Sequence, residues 1–136
     1  METLPAVEEA KALMNEAIHW SVMKWLREKK RVRKVADAAN AALDKLQAEV
    51  HAKWNTEQKR AYADVNCREP LACRLRQADA DARKARDDAE STFDEAEREL
   101  STSLAREGCR KAIASWDLLQ SAIELAESAI PKPSKH

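Results

Sequence analysis

Two apolar stripes run along this chain, one on each side of Pro70. The spacing within each stripe alternates between three and four residues and averages about 3.67, which is typical of helices that bury one face. The first stripe comprises Val32, Ala36, Ala39, Leu43, Leu46, Val50 and Trp54, is interrupted at Glu57, and continues with Ala61 and Val65. The second comprises Leu71, Leu75, Ala78, Ala82, Ala85, Ala89, Phe93, Ala96, Leu100 and Leu104. The pattern predicts two long helices.

The two stripes match when the chain folds back at residues 66–70. In that register Phe93 faces Leu43 and Ala82 faces Trp54. Large side chains often meet small ones, as in the second of these pairs, and an interdigitated seam requires such pairing. We therefore predict an all-α fold in the form of a long antiparallel two-helix hairpin, similar to a coiled coil.

This hairpin would be a single domain over residues 1–136. Arm one would cover about residues 5–66, the tip residues 66–70 and arm two about residues 70–130, followed by a disordered tail at residues 131–136. A helix start at Pro5 fits, because proline is favoured in the first helical turn.

The single glycine, Gly108, offers an alternative arrangement. A glycine inside a helix costs ~1 kcal/mol relative to alanine. A helix that broke near Gly108 would divide the second arm and give a three-helix arrangement. No proline or cluster of turn-forming residues accompanies the glycine, which favours a continuous arm, but the pattern leaves both arrangements open.

Composition supports the all-α class and limits the classes of function. The chain has one Gly and four Pro among 136 residues, too few turn-forming residues for a β protein. No stretch has the length of a transmembrane helix, and the acidic N-terminal residues do not resemble a signal peptide. We therefore expect a cytoplasmic protein with no membrane role.

The open end of the predicted hairpin is apolar on more than one face of each arm. Because two packed helices bury one stripe each, the second apolar face needs another partner. A second copy of the chain would make a homodimer or another homo-oligomer, and a different protein partner is the alternative. The predicted interaction residues are Trp20, Met23, Trp25, Trp116, Leu118 and Leu125.

Charges are sorted into bands although the formal net charge is zero. Residues 24–34 hold seven basic residues and one acidic residue, whereas residues 79–99 hold nine acidic and four basic residues. A basic belt of this density would meet an acidic surface, such as the shaft of a second copy, or an anionic ligand such as RNA. The belt comprises Lys24, Arg27, Lys29, Lys30, Arg31, Arg33, Lys34, Arg110 and Lys111.

Few residues suggest chemistry. Glu16 and His19 have the Glu-x-x-His spacing of helical di-iron bundles, and Asp117 would lie opposite His19, so a metal-binding bundle formed by a dimer is a distant alternative. Cys67 and Cys73 could bridge the tip in an oxidising compartment, but their spacing is not that of a zinc site.

The sequence shows no nucleophile motif and no phosphate-binding loop. We therefore predict a non-catalytic interaction or scaffold protein that has no cofactor. An RNA-binding or anion-binding helical arm that uses the basic belt is the alternative function.

Overall fold

The computed structural model describes residues 4–131, and those residues form helices and their connections without any strand. The helices are α1 (Pro5–Ala17), α2 (Val22–Ala52), α3 (Thr56–Ala63), α4 (Pro70–Glu99) and α5 (Thr102–Ser128). The all-α prediction is confirmed. The two-helix hairpin is not confirmed, because five helices form, and most of the predicted disordered tail, residues 132–136, lies outside the described residues.

Each break in the predicted arms coincides with a polar side chain that caps the next helix. Ser21 accepts a hydrogen bond from the backbone N–H of Lys24 at 3.2 Å at the start of α2. Asn55 and Gln58 form a reciprocal capping box at the start of α3. Ser101 accepts from the backbone N–H of Leu104 at 3.2 Å at the start of α5. Such caps satisfy backbone donors that a new helix leaves unpaired.

The second arm breaks at Leu100, not at Gly108. Leu100 ends α4 in the left-handed conformation, with φ 52° and ψ 40°, and the chain reverses at once into α5. Gly108 lies inside α5 and is buried against the Phe93 ring of α4. The alternative break near Gly108 was therefore misplaced by about two helical turns. The predicted tip coincides with the connection between α3 and α4, and α4 begins at Pro70 as expected.

Side-chain contacts fix the directions of the long helices. Arg33 on α2 pairs with Asp94 on α4, and Asp44 farther along α2 pairs with Arg86, so these two helices are antiparallel. The helices α4 and α5 form an antiparallel hairpin around the turn at Leu100. It follows that α2 and α5 run parallel to each other.

Helix α1 lies against both α2 and α5. Lys11 reaches Asp117 at 2.6 Å, whereas the carbonyl of Trp20 accepts from Arg106 at 3.1 Å, so α1 runs antiparallel to α5. The result is an up-and-down bundle of α1, α2, α4 and α5, in which the short α3 packs on α4 at one end. Helices of the same chain cover part of the second apolar face that the sequence shows on α5, whereas Leu118 on that face stays exposed.

The predicted register of the hairpin is wrong. Phe93 stacks on Trp25 with ring centroids 6.2 Å apart instead of facing Leu43. The reason is that α3 occupies part of the chain assigned to the end of arm one, which shifts the pairing of α2 and α4. The largest fully buried side chains are Trp116, Met14, Leu43, Ile123, Val7, Val32 and Cys109.

Candidate interaction surface

Three of the six predicted interaction residues belong to the core of the chain itself. Trp20, Trp25 and Trp116 are buried, and Trp116 Nε1 donates to Asn40 Oδ1 at 2.8 Å. Leu125 is partly buried against the same core. Met23 and Leu118 are exposed. The expectation that Trp20 stands on the surface of a single chain is therefore wrong, because α1, α2 and α5 enclose it.

The start of α2 carries an exposed apolar cluster, and Leu100 is exposed at the same end of the bundle. The exposed fractions are 51% for Val22, 68% for Met23, 44% for Leu26 and 75% for Leu100. The contact between Trp25 and Phe93 and the bond from Arg106 to the Trp20 carbonyl place the start of α2 beside the turn between α4 and α5. We call Val22, Met23, Leu26 and Leu100 the apolar end.

The opposite end of the bundle has one large exposed apolar side chain among the described residues. Val65 lies in the connection between α3 and α4 and is 80% exposed. Single exposed apolar residues are ordinary on protein surfaces, whereas three large ones on adjacent turns of one helix are not. Val65 is therefore a control position for the apolar end.

The basic belt divides into residues that the chain neutralises and residues that it leaves unpaired. Lys24 pairs with Glu16, Arg31 with Glu28, Arg33 with Asp94 and Glu97, and Lys111 with Asp88 and Glu107. Within residues 4–131 the remaining belt residues make no ion pair, and these are Arg27, Lys29, Lys30, Lys34 and Arg110. Arg110 and Lys111 lie on α5, so the dense part of the belt is a feature of α2 alone.

An open groove runs between α2 and α4 beside these unpaired lysines. Its volume is about 520 Å³, and its lining is Lys29, Lys30, Arg33, Lys34 and Asp37 from α2 together with Glu97 from α4. Arg33 crosses from α2 to contact Asp94 at 2.6 Å and Glu97 at 3.3 Å. The groove therefore has a cationic wall on α2 and an anionic wall on α4.

A second polar cluster joins four helices at the α3 end. The carboxylate of buried Asp79 accepts from Gln47 Nε2 at 2.8 Å and from the Tyr62 hydroxyl. His51 stacks on Trp54 with centroids 4.0 Å apart, and Trp54 Nε1 donates to the Ala126 carbonyl at 2.9 Å. Burial lowers the pKa of His51 from its ordinary value. These contacts fix α3 on the bundle, so we assign the cluster a structural role.

Tyr62 is the only tyrosine, which makes this cluster measurable. Burial and the hydrogen bond to Asp79 raise the pKa of Tyr62 to about 12. We therefore expect absorbance at the tyrosinate band to rise near pH 12 in the folded protein and near pH ~10 after unfolding in urea. Because the folded form holds the proton more tightly, the contribution of Tyr62 to stability is complete below pH ~10 and is lost as the pH rises through 12.

Two carboxylate replacements, two residues apart on α4, check the cause of this shift: Asp79→Asn removes the partner of Tyr62, and Asp81→Asn is the control. Asp79→Asn should shift the Tyr62 pKa part of the way back to its ordinary value, because the burial of the ring remains. Asp81→Asn, at an exposed position of α4, should leave the titration unchanged. Circular dichroism at each pH shows that the chain is still folded, and an ordinary tyrosine titration in the folded wild type would contradict the contact.

The structure also places the cysteines and the Glu-x-x-His motif. Cys67 and Cys73 are joined by a disulfide, and burial raises the pKa of the fully buried Cys109 to about 12. Glu16 contacts Lys24, and Asp117 contacts Lys11. In the part of the chain that the structure describes, no group of three His, Cys, Asp or Glu residues could hold a metal ion. No helix between residues 4 and 131 is both long enough and apolar enough to cross a membrane.

Comparison with protein-family models, with curated protein sequences and with solved structures finds no match to this chain. Sequence reasoning named Met23 and the α2 cations, and it missed Val22, Leu26 and Leu100. The signal for Val22 and Leu26 was the high density of apolar residues from Trp20 to Leu26. One buried face cannot hold all of these side chains, and the two tryptophans occupy it.

Proposed function

We propose that this protein is a non-catalytic helical interaction protein and that it associates with a second copy of itself through the apolar end. The observation that carries the proposal is the exposure of Val22, Met23 and Leu26 on adjacent turns at the start of α2. A chain that encloses its tryptophans yet leaves these side chains in water has a surface suited to a partner.

The energetics favour a symmetric partner. Moving a large apolar side chain from water into a packed interface contributes ~1.5–3 kcal/mol before the costs of association. A two-fold axis doubles every such contact, because each copy contributes the same residues. The zero formal net charge adds no overall repulsion between copies.

Sedimentation equilibrium at micromolar concentration tests this proposal. We expect the wild type to sediment well above the chain mass of 15.3 kDa and the Met23→Glu, Leu26→Glu double variant to sediment at that mass. The double variant places two carboxylates where apolar contact is proposed. Val65→Glu makes the same kind of change at the opposite end, so it should behave as the wild type does.

Circular dichroism and urea unfolding of each variant separate a lost interface from a lost fold. All three substituted positions in this comparison, Met23, Leu26 and Val65, are exposed, so the monomeric fold should survive every change. A wild type that sediments at 15.3 kDa would overturn self-association. A Val65→Glu variant that dissociated would show that the contact lies elsewhere.

Binding of an anionic ligand such as RNA is the second candidate, and the groove lined by Lys29, Lys30 and Lys34 favours it. Phosphates neutralised by these lysines would release counterions, so binding would weaken steeply as salt rises. Asp37 and Glu97 line the same groove and oppose a polyanion, which is why self-association comes first. Fluorescence anisotropy with a labelled RNA oligonucleotide at low salt decides, because absence of binding there removes this candidate.

A cytoplasmic location remains part of the proposal. The disulfide between Cys67 and Cys73 stands against it, since such bonds persist mainly in oxidising compartments.

A further inference from the structure

The faces of α2 and α4 that border their shared groove carry opposite charges. Lys29, Lys30 and Lys34 lie on the α2 side, and they make no ion pair within the described chain. Asp94 and Glu97 lie on the α4 side, where Asp94 keeps a largely exposed side chain although it contacts Arg33. Glu90, one turn before Asp94, is also exposed and lies beside Arg33 and Asp37. One face of the bundle thus presents a cationic row next to an anionic row.

The apolar end continues these two rows. Leu26 precedes Lys30 by four residues, which places it on the same side of α2 one turn earlier. Because α2 and α4 are antiparallel and Arg33 lies level with Asp94, the start of α2 lies level with the end of α4. Leu100 ends α4 there. Along the face, the α2 row therefore reads apolar at Leu26, cationic at Lys30 and Lys34 and acidic at Asp37. The α4 row reads apolar at Leu100 and then anionic from Glu97 to Glu90.

We infer that a second copy docks on this face with its two-fold axis parallel to the helices, so that α2 of each copy lies on α4 of the other. This inference rests on the self-association proposed above. Rotation about such an axis exchanges the two rows and keeps their levels. Lys30 and Lys34 of one copy then meet Asp94 and Glu97 of the other, and Leu26 meets Leu100.

The charge pattern rejects the other simple docking of this face. A two-fold axis perpendicular to the helices at the level of the groove would place α2 on α2, so that the lysine rows of the two copies would oppose each other. Exposed ion pairs contribute little to affinity, but like charges brought together are costly and select the orientation. The apolar contacts therefore supply the affinity, and the two charged rows set the direction in which the copies align.

Charge reversal in two separate chains tests the pairing of α2 with α4. One chain carries Lys30→Glu with Lys34→Glu, and the other carries Asp94→Lys with Glu97→Lys, which are the residues that meet these lysines in the proposed dimer. In the proposed dimer, each variant alone opposes like charges on both sides of the axis, so its dissociation constant should rise by about tenfold or more. The equimolar mixture restores opposite charges on both sides, so heterodimers should form with an affinity near that of the wild type.

A distance measurement tests the direction of the axis. Lys53→Cys places a nitroxide label at the exposed end of α2, far from the groove, while Cys109 is buried and the other two cysteines are paired. Electron–electron double resonance should give a separation below about 35 Å in the proposed dimer, because the two α2 helices lie diagonally across a four-helix contact. The perpendicular axis would place the labels more than about 60 Å apart, because α2 then extends in opposite directions.

The outcomes separate the two proposals. A monomeric wild type overturns both. A dimer that dissociates with Met23→Glu and Leu26→Glu, yet shows no restoration in the mixture and a long label distance, keeps self-association and overturns this geometry. Restoration in the mixture together with the short distance supports it. Added salt should strengthen the dimer of either charge-reversed variant, because screening removes the repulsion between like charges. It should weaken the wild-type dimer by a smaller factor.

Discussion

Trp116→Ala is expected to destabilise the folded chain by about 3–5 kcal/mol. This loss of stability would be unexpected for an interaction residue on the surface, which is the role that the sequence predicts for Trp116 because tryptophan is enriched at interfaces. Trp116 is 1% exposed, and its indole N–H donates to Asn40 Oδ1 at 2.8 Å. The replacement removes one of the four tryptophans of the core, leaves a cavity between α2 and α5, and leaves Asn40 without this donor. Stabilities of small domains are ~5–15 kcal/mol, so the variant would lose a large share of its stability.

Leu118 provides the control two residues farther along the same helix. It is 43% exposed, and Leu118→Ala should cost about 1 kcal/mol or less. Urea unfolding followed by circular dichroism measures both variants under the same conditions. Equal losses for Trp116→Ala and Leu118→Ala would contradict the buried position of Trp116. Because the tryptophan supports the fold, its replacement would be a poor test of self-association.

The helical class was predictable because it depends on composition, and the start of α4 was predictable because it depends on one proline. The scarcity of glycine and proline excludes a chain rich in turns, and the start of α4 at Pro70 follows from the fixed φ of proline. These features act locally, so the sequence shows them without any knowledge of what packs against what.

The breaks were not predicted because the apolar stripe continues across them. Asn55 and Gln58 form a capping box that the sequence contains in readable form, yet Trp54 and Ala61 kept the period of the first stripe. Ser101 could have been read in the same way. Leu100 carries no such signal, because a leucine adopts the left-handed conformation only where the surrounding packing favours it. Tertiary contacts decide that turn.

The candidate site was predicted only in part for a related reason. The excess of apolar residues at the open end correctly indicated that another helix packs there. Much of that packing comes from α1 of the same chain and not from another molecule. Periodicity cannot show whether the helix that covers Trp20 belongs to the same chain or to another. The cations of α2 form a dense group in the sequence itself, whereas the acidic row beside them depends on the register of α2 and α4.

Gly108→Val is expected to destabilise the protein by about 3 kcal/mol, at a position where sequence alone would suggest that replacing glycine helps. An alanine inside a helix is favoured over glycine by ~1 kcal/mol, so a helical glycine usually offers a route to stabilisation. Here a Cβ atom at residue 108 would lie 2.9 Å from both Cδ1 and Cε1 of Phe93. The Phe93 ring is buried and stacked on Trp25, so it has little freedom to move away. The larger valine would force α4 and α5 apart.

A double-mutant cycle with Phe93→Leu identifies the contact as the cause. The smaller leucine leaves space for the valine, so the two changes together should cost at least about 1 kcal/mol less than the sum of their separate effects. Ala114→Val, at an exposed position of α5, measures the cost of a β-branched residue in this helix and should stay below about 1 kcal/mol. Urea unfolding of these variants and the wild type gives every free energy in the cycle. Additive effects of Gly108→Val and Phe93→Leu would show that the glycine is required for some reason other than the close approach of α4, because only a shared contact makes the second change relieve the first.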